Sequence, residues 1–331
     1  MSKLMSNLPG ATVPVILVMG ISAGVVIPQS SSLAAPLVFP ALFLLLTLSL
    51  SLATDRPLTV LTKPDPAVWG IMLWQLAFIP LLVIVFGWAF DIPSDLHLML
   101  LATSVSSAVF AAPTVAHLLK LEGSLPINGM ILSTFLMPVA LLMFGEALEG
   151  DGLDISMSQY ASRVAIFLLA PLLLSVVINR CIKKVPEVKT PAIFSALRFG
   201  AVCSLLVFGI GIMDGVAEKI QTDPERVLTF LAIALGFSVA TVLGTIALFW
   251  SMGRDLTIAA TILSVHRNVG LTYALIGTAA GQDFAIYVAI FQIPMFLSPL
   301  LLHLINAFRH STPTVPEQVR LETTAEQSVS T

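Results

Sequence analysis

Long apolar runs, separated by short breaks rich in charged residues, proline or glycine, repeat along almost the whole chain. A helix rises about 1.5 Å per residue and the hydrocarbon core of a bilayer is about 30 Å thick, so a run of roughly 20 apolar residues predicts a membrane-spanning helix. The breaks place ten such spans near residues 12–28, 35–54, 67–90, 96–119, 124–147, 159–180, 191–213, 225–252, 255–281 and 283–308. Lys3 ahead of the first run has the look of a secretory signal. Pro14, the lack of a small-residue cleavage site and the spans that follow at once predict a retained helix instead.

Composition agrees with an all-α membrane protein in contact with the lipid bilayer. Of the 331 residues 57% are hydrophobic and 11% charged, against roughly 25% charged in soluble domains, and the mean hydropathy is +0.97. A soluble enzyme or a nucleic-acid binder is excluded on that ground, and a net charge of −3 implies no charged macromolecular partner. Cys181 and Cys203 lack metal-ligand spacing, so neither a disulfide framework nor a zinc site is expected. Phosphate loop, nucleophile elbow and HExxH patterns are absent, and no enzymatic activity or cofactor is expected.

The few charges are unevenly distributed. In the ten-span count Lys3, Arg56, Lys63, Lys120, Arg180, Lys183, Lys184, Lys189, Arg254, Arg309 and Arg320 fall on the side of both termini. The other side has Lys219 and Arg226 in a loop and Arg163 near the start of span six, together with Asp91, Asp95, Glu149, Asp151 and Asp154. Because cytoplasmic loops retain basic residues, both termini are expected in the cytoplasm of a multi-pass protein of the plasma (inner) membrane. Residues 1–11 form the cytoplasmic N-terminus. Residues 309–331, polar and without apolar periodicity, read as a disordered cytoplasmic tail.

Two spans carry interruptions near mid-depth. Span four holds Pro113, which removes a backbone donor and clashes with the preceding turn. Span nine holds His266, Arg267, Asn268 and Gly270 at a comparable depth. Irregular or polar structure there persists only if it is buried in protein or lines a wet cavity. Both interrupted spans come fourth in their halves, 12–148 and 158–308. Five is odd, so the second half inserts upside down, as in the inverted repeats of secondary transporters.

Arg267 lies about twelve residues, roughly 18 Å, from the cytoplasmic end of its span, too far to snorkel. It either pairs with carbonyls exposed by the broken helix or serves a substrate or coupling ion. His266 is a candidate proton carrier, with a hydrogen-bonded structural histidine as the plainer reading. Gln75 and Gln292 are lone amides in apolar spans, suited to interhelical hydrogen bonding or to lining a site. Ser133 and Thr134 either line the site or bond back to their own helix.

At these residues the chain resembles the bile acid:sodium symporter family over roughly residues 10–308. Gln75-Leu76-Ala77-Phe78-Ile79-Pro80 is similar to the family's Gln-x-Ala-x-x-Pro segment, and Asp91-Ile92-Pro93 to the loop after it. Gly253-Arg254 followed by Arg267-Asn268-Val269-Gly270-Leu271 is similar to Gly-Arg followed by Gln-Asn-Ser-Gly-Leu. The resemblance implies a panel of spans one, two, six and seven, and a core of the others in which spans four and nine cross. It also implies alternating access, Asn268 facing substrate and Gln75 at a sodium site. A second resemblance, to the auxin efflux carriers, rests on Ala112-Pro113-Thr114 and Ile131-Leu132-Ser133-Thr134.

The departures carry information. Ala112-Pro113 stand where the first family has Ser-Asn, Pro126 and Met130 where it has Ser and Thr ligands, Leu263 where it has a Glu serving both sodium sites, and Arg267 where it has Gln. A hard cation needs several oxygen ligands, so the usual two-sodium coupling is not expected. A guanidinium at 267 would supply positive charge in the place of a bound cation, with Gln75 in position to hydrogen-bond it. A proton or no coupling ion is left. The expected function is secondary transport of a small organic anion, bound by Arg267, Asn268, Thr114 and the backbone around Ala112 and Pro113. The alternatives are a transport-inactive sensor of the same fold and a sodium-independent carrier like the auxin exporters. Oligomeric state is open.

Overall fold

The computed structural model describes residues 12–53, 66–109, 112, 115–116, 121, 125–150, 156–276 and 280–310. Regular structure among them is helical, apart from one isolated pairing of extended residues. The principal helices are α1 (Thr12–Val26), α2 (Pro28–Ala53), α3 (Pro66–Ala89), α4 (Ser94–Ser104), α5 (Leu125–Met143), α6 (Met157–Ile182), α7 (Thr190–Gly211), α8 (Pro224–Phe249), α9 (Arg254–Val265), α10 (Val269–Ile276) and α11 (Gly281–His310). Residues Val216–Thr222 add a short helix ahead of α8.

Among the described residues six helices are long and apolar enough to cross a membrane: α2, α3, α5, α6, and the stretches Glu187–Thr222 and Pro224–Met252 that contain α7 and α8. Leu81, Val85, Leu173, Val177, Val239 and Leu243 present apolar side chains outward, which in water would form an unusually large apolar surface. In lipid they are solvated. The other four expected spans take in the 15-residue α1, α4, α9 with α10, and α11, none of which is among those six, so the count of ten stays an expectation.

The helices pack in two groups. In the first, α7 lies against α1 and α2, and the second half of α6 against α2. Glycines set the spacing there. A Cβ at Gly24 would sit 2.7 Å from the Ile210 carbonyl oxygen, and one at Gly211 2.7 Å from that of Ala34. Because the obstacle is backbone, Gly211→Ala is expected to cost about 1–3 kcal/mol by overpacking, read as a lower melting temperature in detergent. An unchanged melt would mean the helices separate freely. In the second group α8 packs on α9 and α11, and α5 on α3 and α9. The interior of this group is where the two interrupted spans meet.

One wide turn in α3 bears on that meeting point. Over Trp74–Phe78 the Ile79 N–H reaches back five residues to the Trp74 oxygen. The next donor in that register belongs to Pro80, which has none. The Gln75 carbonyl is therefore left for a partner outside its helix, a common consequence of such bulges at functional positions.

Candidate functional site at the helix crossing

Span four breaks earlier than its proline predicts. α4 ends at Ser104, and Val105 and Ser106 only turn back onto Leu101 and Thr103. Here Thr103, Ser104 and Ser106 hydroxyls donate to Met99, Leu101 and Ala102 oxygens, the local competition that makes such residues poor helix continuers. The interruption thus begins at Val105, and Ser107-Ala108 lie at the crossing. Pro113 and Thr114 lie outside the described residues. Ala112 is fully buried, and its N–H bonds the Val109 oxygen at 3.0 Å.

Span nine breaks where expected. α9 ends at Val265, and α10 starts at Val269 with Asn268 as its cap: Asn268 Oδ1 accepts the Leu271 N–H at 3.1 Å. Between the breaks the two chains run antiparallel, Ala108 opposite Arg267. The Asn268 N–H donates to Ser107 O and the Val109 N–H to His266 O, each at 2.7 Å. The Ala108 N–H is taken by Ser133 Oγ at 3.0 Å and the Ser107 N–H by Met137 Sδ at 3.2 Å. Backbone that would be prohibitive at mid-membrane is thereby satisfied within the protein.

Arg267 is wholly buried, and its acceptors are main-chain oxygens. Nε donates to Ser264 O at 2.6 Å; Nη1 lies 2.9 Å from Ser106 O, 3.0 Å from Ser104 O and 3.2 Å from Gln75 O. Each oxygen is available for a reason already given: Ser104 ends α4, Ser264 lies in the last turn of α9, Ser106 is in the break, and Gln75 is freed by Pro80. The C-terminal ends of α4 and α9 each carry about half a negative charge, and the guanidinium matches the two together.

Arg267 and Asn268 face opposite ways. Successive side chains of an extended segment alternate, and Arg267 turns toward Gln75 of α3 and the end of α4. Asn268 turns toward the first group: a Cβ on Gly270 would lie 2.7 Å from the Phe208 ring of α7 and 3.8 Å from Asn268 Oδ1. Asn268 is 6% exposed, and its Nδ2 has no partner among the described residues. The same holds for Arg267 Nη2, Gln75 Oε1, Ser107 Oγ and Ser264 Oγ. A cluster of buried polar atoms without partners at one locus is what a polar ligand's place requires.

The other candidates sort by distance from this locus. Gln75 Nε2 donates to Ser106 O at 3.4 Å, so its side chain belongs to the crossing, while Arg267 engages its main-chain oxygen. Ser133 and Thr134 both bond back to Met130 O, at 3.0 and 2.7 Å, and Ser133 also supports Ala108. His266 Nδ1 lies 3.0 Å from Ile262 O of its own helix. Gln292 Nε2 donates to Val288 O within α11. Residues not singled out from sequence, Ser104, Ser106, Ser107, Ser264, Met137 and Thr272, also build the crossing, with Ser106 and Thr272 hydroxyls 2.6 Å apart. The signal was present as the polar run Thr103-Ser104-Val105-Ser106-Ser107 within an apolar span.

Leu263, at the position of the expected carboxylate, is fully buried. It packs so closely on Gly129 that a Cβ there would lie 2.3 Å from Leu263 Cδ1. Among the described residues no three His, Cys, Asp or Glu side chains gather as metal ligands. Ion pairs gather at one face, where Arg226 pairs with Asp95 and, at 3.3 Å, with Asp283, and Lys219 with Asp283 at 3.1 Å and Asp223 at 3.3 Å, while Arg254 pairs separately with Asp255 at 3.1 Å at the start of α9. The Asp283 hydrogen bond holds the Lys219 ammonium above its usual range. No family model matches the chain, and no curated protein matches it.

Proposed function

We propose that the chain is a secondary transporter of a small organic anion, working by alternating access without bound sodium. The observation that carries this reading is the crossing itself: two interrupted helices paired through extended backbone, with a guanidinium locked behind them and, in front, an Asn268 Nδ2 without a partner among the described residues. The start of α10 offers N–H groups and a positive dipole end, which suit a carboxylate, and Asn268 Nδ2 adds a donor at the same end. Arg267 supplies charge from behind the crossing and stays there because four carbonyls hold it. In this reading the ten spans form two inverted repeats with both termini cytoplasmic, and the two packed groups move relative to one another around the site.

The test is counterflow of labelled organic acids in proteoliposomes, with candidates first chosen by ligand-induced thermal shift, since a ligand of the native state raises apparent stability. Exchange is expected to proceed equally in sodium, potassium and choline. Sodium-dependent exchange, or a preference for cationic solutes, would overturn the assignment. Binding without counterflow would make the chain a membrane binding protein.

A further inference from the structure

The two helical groups meet chiefly around α10, the half of span nine beyond the break: it packs on α2 and α6 of the first group as well as on α4 and α11 of the second. The half before the break, α9, packs on α3, α5, α8 and α11, all in the second group. Two side chains of α6, Tyr160 and Arg163, cross the boundary with hydrogen bonds. Arg163 Nη1 donates to the Leu275 oxygen at 3.3 Å and to the Ile276 oxygen, both on α10. Tyr160 Oη, largely buried, donates to the Pro138 oxygen of α5 at 2.8 Å. They stand one helical turn apart, so they act from one face of α6. Rings add to the same boundary: Phe39 of α2 lies 5.6 Å from Tyr273 of α10.

We infer that Arg163 and Tyr160 form a latch that holds the two groups shut at the face carrying Asp95, Lys219, Arg226 and Asp283. The energetic logic is local. The Leu275 and Ile276 oxygens of α10 take a guanidinium donor from the opposite group, and separating the groups strips it from them. Opening at this face must break a hydrogen bond from a charged group, and such bonds are the stronger kind. Arg163 is thus a positioning residue that sets how often the face opens. The inference rests on the transport reading only for the purpose of the motion. The motion itself is measurable without a substrate.

The experiment is a distance measurement by pulsed electron spin resonance in lipid nanodiscs. Cys181 and Cys203 are first replaced by serine, and spin labels are attached through Met157→Cys on α6 and Gln282→Cys on α11, both exposed positions. With Arg163 and Tyr160 intact a single short-distance population is expected. Arg163→Met is expected to add a longer-distance population, shifting the open-to-closed ratio by about tenfold or more, the effect of losing one hydrogen bond from a charged group. Tyr160→Phe, which removes one hydroxyl and keeps the ring, is expected to act in the same direction and guards against misfolding of the first variant. Distributions unchanged in both variants would overturn the latch, as would a widely open population with both residues intact. Absence of counterflow for every organic acid would sink the transport reading while leaving these distances to decide the latch on their own.

Discussion

Arg267→Gln is expected to abolish anion counterflow and to lower the melting temperature. A glutamine amide has two donor hydrogens and no charge, against four carbonyls now within 3.2 Å of the guanidinium. Each buried acceptor left without a donor costs about 1–3 kcal/mol, and the negative ends of α4 and α9 lose the charge that matches them. Vacated oxygens of this kind attract a hard cation. Sodium chloride is therefore expected to restore part of the variant's melting temperature relative to potassium chloride, while the unaltered protein is indifferent to the exchange. Normal counterflow by a well-folded Arg267→Gln protein would reduce Arg267 to scaffolding.

Asn268 separates stability from function in the opposite sense. Its Oδ1 caps α10, and its Nδ2 is a buried donor without a partner among the described residues. Asn268→Asp keeps an acceptor for the Leu271 N–H and places a negative charge at a helix N-terminus, so near-normal stability is expected. It removes the donor and repels an anion, so counterflow is expected to fall by at least tenfold. Asn268→Ala loses the cap as well, at about 1 kcal/mol, and serves as the reference for capping alone. Full transport by the Asp variant would place the substrate elsewhere.

The interruption of span nine was legible because His266, Arg267 and Asn268 are costly at that depth in any fold. In span four the helix ends ahead of Pro113. Pro113 is the stronger local signal, but the chain leaves the helix eight residues earlier, where hydroxyls compete for backbone oxygens and the released N–H groups find Met137, Ser133 and a second extended segment at His266. No local rule counts that second segment. Gln75 illustrates the same point. Its side chain was singled out for the site, yet the group that meets Arg267 is its carbonyl, released by a wide turn followed by Pro80.

The sequence by itself determined an all-helical chain with long apolar helices suited to a membrane, and a buried arginine that needs compensation, because these follow from how many apolar residues stand in a row and which polar ones interrupt them. Only the tertiary structure decided how that compensation is made and which way each residue faces. Arg267 is satisfied by oxygens from α3, α4 and α9, and Asn268 is turned toward Phe208 of α7. Those outcomes depend on the meeting of segments more than 150 residues apart in the chain for spans four and nine. The reason is physical: hydropathy is a property of single residues and their near neighbours, whereas the pairing of a buried charge is a property of whatever the fold brings within hydrogen-bond reach.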